Sequence, residues 1–289
     1  MKTVTTIAEL ASLLDGERAV GRRVGFVPTM GSLHEGHVSL MRRARSDTHV
    51  VVVSIFVNPL LFAKGEDLAA YPRDLDRDTG LADGAGSDVL FTPSVEEMYP
   101  TPMLTTVSVA DVSGPLEGAR RPTHLAGVAT VVAKLFAILG PCRAYFGEKD
   151  FQQIAVVRRM VGDLSLPVRV VACPTVREPD GLALSSRNRY LSSDERAAAP
   201  VVYRALQAGA ASILAGETDP AAVRTLMAQI IEAEPLAQLD YAAVVDADSF
   251  TVPDPLDGNL RLLAAVGFGR ARLIDNVGVT VPAAPTPGG

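Results

Sequence analysis

The chain has 289 residues, 48% hydrophobic and 21% charged, a composition typical of folded globular proteins and far from disordered or collagen-like extremes. Its net charge of −6 argues against nucleic acid or an anionic membrane surface as the main partner, since both need a basic face. The length exceeds that of a usual single domain, and two unequal domains are the working expectation.

Residues 1–14 contain no apolar run of signal-peptide length, and no segment anywhere approaches the roughly 18 apolar residues of a membrane span, so a cytoplasmic protein is expected. From Val24 to Phe146, β-branched apolar runs alternate with amphipathic stretches, the pattern of βαβ units and a parallel sheet. Residues 24–28 read as the first strand, and residues 50–57, apolar on both faces, as a central one. Asp76 and Asp78 fall in a charged run that reads as a solvated helix face. Further strands are expected at 88–92, 144–146 and 168–172, and helices at 126–139 and 150–161. Cys142 and Cys173, each beside a proline in apolar surroundings, read as buried reduced thiols. Beyond Asp180-Gly181, Asp194 reads as the N-cap of a helix running through Ala215, and Asp219-Pro220 as N-cap and first residue of another. Short antiparallel strands are expected at 240–246, 260–266 and 271–276. The fold class is therefore α/β: a Rossmann-like doubly wound parallel sheet in residues 1–175, then a smaller α+β domain in 176–289 whose last eight residues fray.

Ligands of an open parallel sheet bind beyond the carboxyl ends of its strands, which is where Pro28-Thr29-Met30-Gly31 delivers the chain. A helix starting near Glu35 aims its N–H groups and positive dipole end outward there, an arrangement suited to phosphate. His34 and His37, three residues apart, share a face of its first turn and can donate to one polyphosphate. Histidines at this spacing also bind metals or serve structure alone, but the zinc-protease pattern is excluded, because its second histidine comes one position later.

The run from Pro28 through Gly31-Ser32-Leu33-His34-Glu35-Gly36-His37 resembles the first signature of the pantothenate synthetase (pantoate–β-alanine ligase) family of the HIGH-type nucleotidyltransferase superfamily. The resemblance continues in order through Val53-Ser54-Ile55-Phe56-Val57-Asn58-Pro59, Tyr71-Pro72-Arg73, Arg121-Pro122-Thr123-His124, Phe146-Gly147-Glu148-Lys149-Asp150-Phe151-Gln152-Gln153 and Leu184-Ser185-Ser186-Arg187-Asn188, and weakens after Ser192. It implies a carbon–nitrogen ligase that uses ATP, with Mg²⁺, to convert pantoate to an acyl adenylate, and that then passes the pantoyl group to β-alanine. It also implies a cytoplasmic homodimer joined through the N-terminal domain.

Carried over residue by residue, the resemblance assigns His34 and His37 to the ATP phosphates and the transition state, and Lys149 to phosphate oxygens on the opposite side. Ser185, Ser186 and Arg187 become the loop that closes on the β- and γ-phosphates, and Asp150 the ribose ligand. Pro28, Thr29, Met30, Gly36, Gly147, Val176 and Leu184 complete the ATP site, and Gln153, Met30 and position 61 the pantoate site, with no metal-ligating side chain implied. Such chemistry needs positioning and charge stabilisation rather than a covalent nucleophile. Read without the family, Lys149 and Asp150 also fit a solvated helix start, Ser185 to Asn188 a polar turn, and Arg121 and His124 a helix cap.

One departure touches chemistry. Where the family motif reads Asn-Pro-x-Gln-Phe, this chain has Asn58-Pro59-Leu60-Leu61-Phe62, and Leu61 cannot pair a pantoate oxygen as glutamine does. Three readings follow: a pantoate ligase, an amide ligase with a less polar acid, or a nucleotide-binding variant with weakened turnover. The intact phosphate-end residues speak against the third. Leu184, in place of the family's methionine, is a volume-conserving swap.

Overall fold

The computed structural model describes residues 1–61 and 73–281; Phe62, Tyr71, Pro72 and the tail 282–289 lie outside the described residues. The chain divides into two compact units, Met1–Thr175 and Val176–Gly289. The first contains β1 (Lys2–Val4), α1 (Ile7–Ala19), β2 (Val24–Thr29), α2 (Glu35–Asp47), β3 (Val50–Ile55), α3 (Leu75–Gly84), β4 (Val89–Phe91), α4 (Val95–Met98), α5 (Glu117–Arg120), α6 (His124–Leu139), β5 (Cys142–Gly147), α7 (Phe151–Asp163) and β6 (Val168–Cys173). The second contains α8 (Ser193–Ala198), α9 (Val201–Leu214), α10 (Pro220–Glu232), β7 (Gln238–Asp246), β8 (Gly258–Phe268) and β9 (Ala271–Val281).

The six strands of the first unit form one parallel sheet in the order β1-β4-β3-β2-β5-β6. Val27, Val51 and Val53 pack with Val38, Met41 and Ala44 of α2, whereas Phe26 meets Phe136 of α6 edge to face, so apolar side chains cover the central strands on both faces. A methyl group at Gly25 would lie 2.5 Å from Thr48 Oγ1, so only glycine lets α2 approach β2 this closely. The chain order reverses at β2, which has β3 on one side and β5 on the other, and the loops after β2 and β5 straddle that switch point.

In the second unit β7, β8 and β9 form an antiparallel sheet, and Val202, Leu206, Val223 and Met227 from α9 and α10 are buried with Leu262 and Val266 of β8. The fold class matches the expectation, but several boundaries move. β3 ends at Ile55, whose pairing with Thr29 is closed by the bond from Phe56 N–H to the Thr29 carbonyl, and a 3₁₀ turn begins at Pro59. α7 starts at Phe151, after a 3₁₀ turn at Glu148–Asp150. The helix expected from Asp194 to Ala215 is two helices, interrupted at Ala199-Pro200, where proline has no N–H to give. Ser192, not Asp194, caps it: its hydroxyl accepts from Glu195 N–H while the Glu195 carboxylate accepts from Ser192 N–H, at 3.3 and 2.7 Å. β8 and β9 extend well beyond the expected strands because their pairing continues from Phe268↔Ala271 out to Gly258↔Val281.

Candidate active site

At the end of β2, the Thr29 hydroxyl donates to the Ser54 carbonyl at 2.8 Å and accepts from Gly31 N–H at 3.1 Å, which ties the strand's exit to β3. Gly31 and Ser32 then take positive φ values of 82° and 53°, the second costing a non-glycine residue about 1–3 kcal/mol and persisting only where neighbours enforce it. Asp78 is the enforcing neighbour. Its carboxylate accepts from Ser32 N–H at 2.7 Å and from Leu33 N–H at 2.8 Å, and a methyl group at Gly31 would lie 3.0 Å from Asp78 Oδ2. The expectation of a solvated Asp78 is therefore corrected: the residue is 1% exposed and its side chain belongs to the loop, while Asp76 does lie on the exposed face of α3. Arg77 adds a hydrogen bond to the Leu33 carbonyl at 3.0 Å.

His34 follows directly as the N-cap of α2. Gly36 N–H donates to His34 Nδ1 at 3.2 Å and His34 N–H donates to His37 Nδ1 at 3.3 Å, a capping box made of two imidazoles. Because each Nδ1 accepts, each ring is assigned the tautomer with its proton on Nε2, and each offers one N–H donor. The rings are 4.1 Å apart at a 42° tilt. Burial, reinforced by Lys149 and Arg77 against Asp150, lowers the His34 pKa to about 4; burial and the adjacent His34 lower that of His37 to about 3. Both rings are neutral donors near pH 7, not cations.

Across the switch point, Lys149 and Asp150 stand in the 3₁₀ turn that ends β5, close enough to act electrostatically on both histidines, with Lys149 Nζ 3.3 Å from Asp150 Oδ1. Gly147 ends β5 itself, Gly36 lies in the first turn of α2, and Pro28 and Met30 flank Thr29 half-buried. Gln153, on the first turn of α7, is half-buried. Its neighbour Gln152, given no role by the sequence, is 4% exposed and fully engaged: its amide donates to the Val112 and Pro115 carbonyls and accepts from Glu117 N–H. Nothing in the sequence of the Gln-Gln pair tells the buried glutamine from the half-buried one.

Leu61 ends the Pro59–Leu61 turn, with its N–H donating to the Asn58 carbonyl and its own carbonyl accepting from Arg121 at 3.4 Å. Its Cδ2 lies 3.3 Å from where a Gly127 methyl would stand, so the side chain rests on α6. Asn58 is buried and supports the turn, its Oδ1 accepting from Leu60 N–H and the Tyr99 hydroxyl. His124 is the first residue of α6. Cys142 and Cys173 are buried free thiols, with burial pushing their pKa values up to about 12 and about 11.

Within the second unit, Leu184 N–H donates to the Val176 carbonyl at 2.9 Å, and Ser185 caps a 3₁₀ helix, Ser186–Tyr190, by accepting from Arg187 N–H at 3.3 Å. The Arg187 side chain is exposed and makes no hydrogen bond or ion pair among the described residues. Arg177 holds the start of this segment to β9 through a two-point ion pair with Asp275, at 2.5 and 2.9 Å.

Two neutral imidazole donors at a helix N-terminus, with a lysine across the switch point of a parallel sheet, form the class of site that suits a phosphate-bearing ligand. The comparisons narrow this class. Residues 2–278 match the family model described as pantoate-beta-alanine ligase. Curated relatives include the pantothenate synthetases of Sinorhizobium medicae, 53% identical with 96% of this chain and 95% of that protein covered, and of Heliobacterium modesticaldum, 53% identical with 97% and 100% covered. Among solved structures, pantothenate synthetase from Thermus thermophilus superposes with a TM-score of 0.92 at 50% identity, covering 97% of this chain and all of that one. The Francisella tularensis pantoate-beta-alanine ligase complexed with beta-gamma ATP and beta-alanine gives 0.77 at 34% identity, covering 96% and 97%. The chain belongs to the pantoate–β-alanine ligase family.

The histidine pKa values carry a signed consequence for stability. Both lie below the ordinary 6.5, so the unfolded chain takes up protons first, and stability that is complete above about pH 6.5 falls as the pH drops toward 4 and 3. Urea unfolding midpoints between pH 7.5 and 4 are expected to fall more steeply for the wild type than for a His34→Gln, His37→Gln double variant. Parallel profiles would refute the buried neutral pair.

Proposed function

We propose that this chain condenses pantoate with β-alanine in two steps, with the His34–His37 pair as the observation that carries the reading. In the first, a pantoate carboxylate oxygen attacks the α-phosphorus of ATP; the bond from that phosphorus to the bridging oxygen breaks, giving pantoyl adenylate and pyrophosphate. In the second, the β-alanine amine attacks the acyl carbon, loses a proton, and AMP departs, leaving pantothenate. The relatives, about half identical over nearly their whole length, support pantoate as the acid and do not favour the less polar acid or the weakened variant.

In this reading the Nε2–H groups of His34 and His37 donate to phosphate oxygens as charge builds there, and Lys149 supplies the positive charge across from them. Neutral donors suit the task, since they stabilise developing charge through Nε2 protons that stay in place near pH 7. Asp150 takes the ribose, Gln153 the pantoate, and Ser185, Ser186 and Arg187 the β- and γ-phosphates; the exposed, unengaged Arg187 guanidinium and half-buried Gln153 are available for those roles. Mg²⁺ enters with ATP. Among the described residues no three acidic, histidine or cysteine side chains converge on a point, and an ion held by phosphates and water needs no such cage.

A cytoplasmic homodimer, as the sequence resemblance implies, completes the proposal; no helix among the described residues is long and apolar enough to cross a membrane. A monomer in sedimentation, or recovery of the protein in a membrane fraction, would remove this part.

Pantoate-dependent ATP–pyrophosphate exchange tests the site directly. Lys149→Ala and His37→Ala are each expected to slow exchange at least about 10²-fold, the scale for losing a preorganised charge-stabilising donor. Undiminished exchange in either variant overturns its assignment. Leu61→Gln restores a polar partner for pantoate and is expected to raise kcat/KM for pantoate by about 5- to 150-fold, the equivalent of pairing one desolvated group. No gain, or a loss, would show that the acid does not meet position 61.

A further inference from the structure

We propose that Asp78 is a positioning residue for adenylation: it sets the backbone just ahead of His34 and thereby aims both imidazoles. The inference rests on the assignment of His34 and His37 to the ATP phosphates and extends it to a helix, α3, that carries no other residue of that site. Ser32 and Leu33 are the two residues before His34, and their N–H groups converge on the two oxygens of the Asp78 carboxylate at 2.7 and 2.8 Å. Ser32 sits at a φ of 53°, which serine adopts only where contacts demand it, and the carboxylate is the contact on its N–H.

The next peptide unit transmits the effect. Its carbonyl, that of Leu33, accepts from Arg77 at 3.0 Å, and its N–H, that of His34, donates to His37 Nδ1 at 3.3 Å. Leu33 is therefore held at its N–H by Asp78, at its carbonyl by Arg77, and at its side chain by the core around Met41 and Val53. Release of the Asp78 end lets the plane of this peptide turn. His37 then loses the donor that keeps its proton on Nε2, and His34, whose ring is oriented by Gly36 N–H, loses its fixed entry into the helix. The 1% exposure of Asp78 removes water as a substitute partner for the two N–H groups. Asparagine in its place keeps the shape but turns one acceptor into an N–H₂ group facing a backbone donor. Glutamate keeps both acceptors but displaces them by one methylene.

The test compares wild type, Asp78→Asn and Asp78→Glu in the full chain, with histidine ¹⁵N chemical shifts as the first readout and pantoate-dependent ATP–pyrophosphate exchange as the second. In the wild type, His34 and His37 should each show one unprotonated Nδ1 and one protonated Nε2 at pH 7.5. In Asp78→Asn, with far-UV circular dichroism unchanged, the two nitrogens of at least one ring should move toward averaged values and the exchange kcat should fall at least tenfold. Asp78→Glu should lie between the two, and it carries the comparison if the asparagine variant does not fold. Wild-type tautomer shifts in a folded variant, with exchange lowered only in proportion to the unfolded fraction, would reduce Asp78 to a stabilising contact and overturn the proposal. The shifts do not depend on what the enzyme turns over, so a failure of the phosphate assignment itself would appear separately, as altered tautomers with unaltered exchange.

Discussion

Two backbone N–H groups, those of Gly36 and His34, donate into imidazole rings, and the character of the site follows from that use of them. A free histidine can flip its ring, move its proton between nitrogens, or take up a second one. Here each Nδ1 is occupied by a donor, so the remaining proton sits on Nε2 and points away from the helix. Burial and the nearby Lys149 keep a second proton off His34, and burial and His34 keep it off His37. The positive charge is thus concentrated on Lys149, and the histidines act as oriented dipoles. In the proposed reaction a cluster of three cations would bind ATP more tightly in its ground state as well, which gains nothing for the chemical step; oriented neutral donors act on the phosphate oxygens as negative charge builds on them.

Much of this was legible in the sequence, because the features that place the site are local. The two-sided apolar run of β3, the turn after β2 and the helix start at Glu35 each follow from residues a few positions apart, and the sheet order then fixes their meeting point. What escaped was long-range. Asp78 lies in a run of charges indistinguishable from a solvated face, and its role appears only when α3 packs on a loop more than forty residues earlier in the chain. Gln152 and Gln153 are adjacent and chemically identical, yet the helix turns one into the interior, where the 112–117 segment closes over it, and leaves the other half-buried. The break between α8 and α9 falls at Ala199-Pro200, where the proline lacks the N–H that would carry the helix through.

The second unit shows the same economy of means in a different sheet. Arg177 reaches Asp275 on β9 with two guanidinium nitrogens, gives a further bond to the Gly181 carbonyl, and lies 3.9 Å from the Tyr203 ring centre. A lysine there would satisfy one carboxylate oxygen and lose the planar stacking. Asp275 is buried, so the pair contributes more to the geometry of the segment than to net stability, its Coulomb gain being offset by desolvation. What it secures is a fixed base, from which Leu184 pairs with Val176 and the chain continues into Ser185, Ser186 and Arg187. The three residues proposed for the outer phosphates therefore follow an anchored hairpin, while Arg187 itself stays exposed and uncommitted.

Leu61 can be understood against this background. Its backbone is fully engaged, the N–H with Asn58 and the carbonyl with Arg121, and its side chain rests on α6 at the one residue, Gly127, whose missing methyl makes room for the turn. A methyl on Gly127 would stand 2.5 Å from the Leu60 carbonyl oxygen, so the turn is seated by backbone packing that glutamine and leucine accommodate equally. The substitution thus leaves the scaffold alone and acts on whatever polar group the side chain would have met. A hydrogen bond to an unreacting oxygen of the acid forms in the ground state and persists in the transition state, so its loss weakens binding of the acid more than it slows phosphoryl-end chemistry. The residues proposed for the phosphates lie on α2 and at the end of β5, the turn bearing Leu61 follows β3, and no hydrogen bond among the described residues links them directly, which is how a departure at one end can coexist with an intact arrangement at the other.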